Sequence, residues 1–97
     1  MKIIVESMGL PTLSKLIGKK NEFDVNDATV TVEDLVSFIV KRHGQNARKV
    51  LLDSKGNLDM AIQVMINDEG FLAREDYARR KLGEEDRVRF MLLVGGG

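Results

Sequence analysis

Residues 31–44 read Thr-Val-Glu-Asp-Leu-Val-Ser-Phe-Ile-Val-Lys-Arg-His-Gly, and this stretch decides the architecture. Val32, Leu35, Val36, Ile39 and Val40 fall at the i, i+3, i+4, i+7, i+8 spacing of one buried helical stripe. Thr31 stands at the N-cap, and Asp34, three residues on, can return a hydrogen bond as the acid of a capping box. Val30 and Leu35 occupy the two positions of a hydrophobic staple. Lys41 and Arg42 suit the negative end of the helix dipole, and Gly44 can close the helix in the left-handed conformation. The spacing predicts a helix from Val32 to about His43. Its single apolar face needs another layer to cover it.

The flanking sequence supplies that layer as strands. Lys2 to Ser7 is a β-branched run, broken by Gly9-Leu10-Pro11-Thr12. Lys20 to Val25 alternates polar and apolar residues, and Asn26-Asp27-Ala28 turns out of it. After the helix, Lys49 to Asp53 carries an apolar run that ends in the turn Ser54-Lys55-Gly56-Asn57. Ala61 to Ile66 reads as a strand, Asn67-Asp68-Glu69-Gly70 as a reversing loop, and Phe71-Leu72-Ala73 as a short return strand. Glu75 to Leu82 is expected to hold a helical turn or two, stopped by Gly83. Gly83-Glu84-Glu85-Asp86 turns into the last strand, Arg87 to Leu93, which is apolar enough to be central. One main helix across a mixed sheet of four or five strands is a two-layer α+β domain. It is expected to span residues 1–94, with residues 95–97 as a flexible glycine tail.

Composition narrows the function classes. At 97 residues, 43% hydrophobic and 31% charged, the chain can build one modest core. Fifteen basic side chains balance fifteen acidic ones, which argues against a nucleic-acid binder. With no cysteine there is no disulfide framework, thiolate metal site or cysteine nucleophile. Glu6 cuts the first apolar run too short for a signal peptide, and no stretch approaches the roughly 20 apolar residues of a membrane span. A cytoplasmic address without membrane attachment is the expectation.

Catalytic machinery is not visible. His43, the lone histidine, falls at the end of the helical stripe and is expected to cap or pack rather than bind metal. Ser7, Ser14, Ser37 and Ser54 lie in no nucleophile elbow. Arg79-Arg80-Lys81 is offset by neighbouring acids and reads as a solvated surface. The internal glycines stand singly and form no phosphate-cradling loop. The unusual feature is the end, Leu92-Leu93-Val94-Gly95-Gly96-Gly97, where an apolar strand empties into bare backbone.

The order of elements and this diglycine end resemble the ubiquitin-like β-grasp sulfur carriers: the molybdopterin synthase small subunit, the thiamine sulfur carrier and the ubiquitin-related modifier. Leu16-Ile17-Gly18-Lys19-Lys20 before Glu22-Phe23-Asp24-Val25 is similar to the loop and second strand of the molybdopterin type. Thr31-Val32-Glu33-Asp34-Leu35 resembles the family's helix start, and Leu82-Gly83-Glu84-Glu85-Asp86-Arg87-Val88 its turn into the last strand. Molybdopterin subunits usually end in Ala-Gly-Gly after a proline. Here Val94-Gly95-Gly96-Gly97 follows a stretch without proline, more like the shorter thiamine carrier.

The resemblance implies a protein that is not itself an enzyme. A ubiquitin-activating-type adenylyltransferase, using ATP and Mg²⁺, would adenylate the Gly97 carboxylate. A sulfur donor would convert it to a thiocarboxylate for a sulfur-accepting synthase. Glycines can thread a narrow channel where a Cβ would collide, which gives Gly96 and Gly95 their place. Val94, Leu93 and Leu92, with Met91, Met65 and Phe71 on the helix-free face of the sheet, are the expected partner-binding residues. No metal site and no bound cofactor are expected. Conjugation to lysines through Gly97, or a plain β-grasp interaction module, remains the alternative.

Overall fold

The chain runs β1 (Lys2–Met8), α1 (Pro11–Ile17), β2 (Lys20–Asp24), α2 (Val32–His43), α3 (Gln45–Leu51), β3 (Ile62–Ile66) and β4 (Arg87–Leu92) in the computed structural model, which describes residues 1–25 and 30–92. A 3₁₀ turn, Arg74–Asp76, lies between the last two strands. The strands form one four-stranded sheet in the order β2-β1-β4-β3. β1 and β4 are parallel, and the outer pairs are antiparallel. β4 is thus flanked on both sides, as its apolar sequence requires.

Helix α2 begins and ends at the expected residues. Thr31 Oγ1 accepts the Asp34 N–H at 3.3 Å, and Asp34 Oδ2 accepts the Thr31 N–H at 3.0 Å, so the capping box is complete. The 74–82 segment adds to this cap: Tyr77 O accepts the Glu33 N–H at 3.0 Å, and Leu82 N–H donates to Val30 O at 2.8 Å. Val32, Leu35, Val36 and Ile39 are buried, and Val40 is half-buried. Opposite them lie Ile3 and Val5 of β1, Phe23 of β2, Val64 and Ile66 of β3, and Val88 and Phe90 of β4. Burying each such side chain is worth about 1.5–3 kcal/mol, so this single interface holds the domain together.

Three local expectations are corrected. Gly9-Leu10-Pro11-Thr12 does not merely break the strand: Pro11 takes the first position of α1, where its missing N–H is an orphan anyway, and Leu13 and Ile17 are buried one turn apart. Gly44 ends α2 with its N–H on Val40 O at 2.7 Å, but φ 73° and ψ −150° place it outside the left-handed helical well. That conformation is essentially confined to glycine, and it starts α3 at once, with Ala47 and Leu51 buried. The apolar run from Lys49 is therefore the end of a helix. Phe71-Leu72-Ala73 is not a full strand, since only a bridge from Phe71 to Met65 and the Leu72 N–H on Val64 O tie it to β3.

The expected turn at Asn26-Asp27-Ala28 and the domain boundary at residue 94 lie outside the described residues. Among the described residues, no helix is long and apolar enough to cross a membrane.

Candidate functional site

Strand alternation sorts the sheet into two faces. Val88, Phe90 and Leu92 of β4 point to the helix layer, so Leu92 packs on the core rather than on the helix-free face. Arg87, Arg89 and Met91 take the open face. The pairing register extends that face in rows across the sheet. One row runs Phe71, Met65, Arg89, Glu6, Lys20, and the next runs Gln63, Met91, Met8. Met65 and Phe71, on either side of one loop, are gathered there with Met91 in one patch. Phe71 and Met8 are each about half exposed.

Sequence reasoning did not find the polar centre of this patch. Glu6 Oε1 accepts from Arg89 Nη2 at 3.2 Å and from Arg89 Nε at 3.3 Å, while Arg89 Nη1 lies 3.9 Å from the Met65 sulfur. The pair neutralises itself, leaving thioethers and an aromatic ring around a fixed guanidinium. Met, Phe and Arg are residue types enriched at protein–protein interfaces. Phe71 is held in place by the loop before it. Asn67 adopts φ 51° and exchanges hydrogen bonds with Arg87, and Glu69 takes a bidentate contact from Arg80 Nη2 at 2.8 and 3.0 Å.

Gly9, just after β1, lies beside the end of β4: a Cβ there would meet Leu92 O at 3.4 Å, an ordinary contact, so it is the φ of +70° that favours glycine. Leu93, Val94, Gly95, Gly96 and Gly97 follow, outside the described residues.

The remaining candidates serve structure. His43 packs edge-on to Phe23 at 6.3 Å between centroids, and Phe38 meets the same ring edge-on at 5.9 Å. Ser7 is buried, sharing a 2.6 Å hydrogen bond with Ser14. Among the described residues no three His, Cys, Asp or Glu side chains gather where they could hold a metal ion. What the described residues offer is a surface with apolar side chains around one ion pair, and no cluster of catalytic groups.

The sequence matches the family model of Urm1, ubiquitin related modifier, over residues 2–97. The chain belongs to the ubiquitin-related modifier family. No curated protein matches it significantly in sequence. Solved structures extend the likeness at the level of fold. SAMP1 from Haloferax volcanii is 21% identical with a TM-score of 0.77, and both chains are covered completely. Urm1 from Trypanosoma brucei is 19% identical with a TM-score of 0.68, covering 99% of this chain and 95% of its own. CysO from Mycobacterium tuberculosis is 18% identical with a TM-score of 0.65, covering 95% and 99%. The fold of this ubiquitin-related modifier family member is therefore the ubiquitin-like β-grasp of the sulfur carriers and modifiers. Proteins of that kind are in general not enzymes themselves, and work with activating enzymes and acceptor partners.

Proposed function

We propose that the protein is a sulfur carrier activated at Gly97. The carboxylate oxygen attacks the α-phosphorus of ATP and expels pyrophosphate. Hydrosulfide, at the sulfide oxidation level and supplied by the sulfur donor, then adds to the acyl carbon, AMP leaves, and a thiocarboxylate remains to deliver sulfur in cofactor or metabolite biosynthesis of the molybdopterin or thiamine type. The observation that carries this reading is the family match running through Gly97. ATP, Mg²⁺ and the groups that stabilise phosphate charge belong to the adenylyltransferase.

The open sheet face supports the same reading. Residues 93–97 span at most about 18 Å when fully extended, so one enzyme can hold the Met65–Phe71–Met91 patch and reach the Gly97 carbonyl. Val94, Leu93 and Gly95 bridge the two, and Gly96 keeps the approach to the reacting carbon free of a Cβ.

Conjugation is the second reading, favoured by the match to a modifier family. The same acyl-adenylate, met by a lysine amine instead of sulfur, gives an isopeptide bond. Incubation with the activating enzyme, ATP and a sulfur donor, followed by intact-mass spectrometry, separates the outcomes. Carriage predicts the mass gain of one oxygen replaced by sulfur, and conjugation predicts a branched adduct. A Gly97-deleted chain that still supports its pathway would sink both.

A further inference from the structure

On the opposite layer from the open sheet face, a groove of about 860 Å³ runs beside α2. Its floor is buried and apolar: Val36 from α2, Leu58 from the loop after α3, and Tyr77 from the segment after the 3₁₀ turn. Its wall is prebuilt. Asp53 Oδ1 accepts the Lys55 N–H at 2.8 Å and the Asn57 N–H at 3.0 Å, which fixes the 52–58 turn. Arg74 clamps that turn by donating to Leu58 O at 2.9 Å and Asp59 O at 2.7 Å.

Two features of the rim are unexplained by sulfur carriage. Met60 is 74% exposed, the largest exposure among the described large hydrophobic residues. Lys41, Arg48 and Lys55 all line the groove, and among the described residues none of them forms an ion pair. Asp53, the acid nearest them in the lining sequence, has its Oδ1 engaged by two N–H groups of the turn backbone, and the three cations outnumber it. The other acid, Glu33, stands about 12 Å along α2 from Lys41, eight residues at helical rise. The groove is thus basic toward the end of α2, apolar in its floor, and rigid.

We propose that this groove docks an acidic segment of a partner protein, anchored by a large apolar side chain against Met60 and the Val36–Leu58 floor. Charge complementarity selects the partner: carboxylates meet Lys41, Arg48 and Lys55, and thioether and aliphatic surface accept the anchor. Because the groove and the open sheet face lie on opposite layers, both can be occupied at once. A partner here can stay bound while the chain end is handled elsewhere.

A fluorescein-labelled peptide with phenylalanine and leucine spaced by glutamates is the probe, beside a twin carrying lysine for every glutamate. Anisotropy should show the acidic peptide binding, weakened by salt, and the lysine twin failing. Lys55→Glu should weaken binding about threefold to tenfold. Met60→Ser should weaken it at least about tenfold, as loss of an anchor does. Both positions are exposed, and thermal melting checks that the fold is kept. Amide shifts should centre on Ser37, Lys41, Lys55 and Met60. Equal binding of the two peptides, no binding of the acidic one, or shifts centred on Met65 and Phe71 would each overturn the assignment.

Discussion

Arg89 and Glu6 face each other across the parallel β1–β4 pair, with two guanidinium nitrogens on one carboxylate oxygen at 3.2 and 3.3 Å. Their side chains are only 24% and 19% exposed. The pair therefore lies between a solvated ion pair, worth under about 1 kcal/mol, and a fully buried one, whose breakage costs about 3–5 kcal/mol. Glu6→Ala should cost about 1–2 kcal/mol, because it strands a half-buried guanidinium. In a domain of this size that lowers the melting point by roughly 4–16 °C. The Glu6→Ala/Arg89→Ala double variant should lose less than the sum of the singles, which a melting-curve cycle reads directly.

The start of α2 gives a second cycle. Thr31→Ala removes one half of the capping box and should cost about 1 kcal/mol. Asp34→Ala removes the other half. Because each side chain satisfies the backbone N–H of its partner, the double variant should fall short of additivity. Ile39→Ala, within the same helix but fully buried, should cost about 2–5 kcal/mol and threaten folding outright. Equal small losses at Thr31 and Ile39 would mean that α2 is held by its ends rather than by its stripe.

These two sites also mark what was legible in the sequence. The capping box and stripe of α2 are local patterns, and strand alternation puts Met65 and Met91 on the helix-free face, where Phe71 joins them only through its bridge to Met65. Short helices were not legible, because Pro11 and Gly44 punctuate a chain in the same way whether the next segment is loop or helix. Nor was the Glu6–Arg89 pair, whose members are 83 residues apart and meet only through parallel pairing. The groove beside α2 was hidden for the same reason. Arg74 and Leu58 are neighbours only after the sheet has formed.

Tyr77 offers a test of packing in which pH is the variable. Its hydroxyl is buried with no hydrogen-bond partner among the described residues. Burial raises its pKa above the usual 10, against a smaller lowering by the Arg74 guanidinium over its ring. A raised folded-state pKa stabilises the fold below the unfolded-state value and loses that contribution as pH rises through and past about 10. Tyr77→Phe should be neutral or stabilising at pH 7, since an unsatisfied buried group costs about 1–3 kcal/mol. The variant should also lose less stability between pH 9 and 11 than the parent. Denaturant melts across that range decide it, and a parent as insensitive to pH as the variant would place the hydroxyl in contact with water.

The apolar residues of the open sheet face should contribute binding with little contribution to stability. Phe71→Glu and Met91→Glu place a carboxylate among Met65, Met8 and Arg89, on a face already partly open to water, so melting points should hardly move. If these residues anchor the activating enzyme, each change should cost at least about 2 kcal/mol of binding, roughly 30-fold in Kd. The loss should fall on KM for adenylation while kcat stays near its parent value, because the reacting carbonyl at Gly97 is untouched and only uniform binding is removed. Lys55→Glu, on the groove in the other layer, serves as the control and should leave adenylation kinetics unchanged. A Phe71→Glu chain that is adenylated with unchanged KM would remove this patch from the enzyme interface. One that lowers kcat alone would mean that the patch positions the tail for chemistry rather than holding the enzyme.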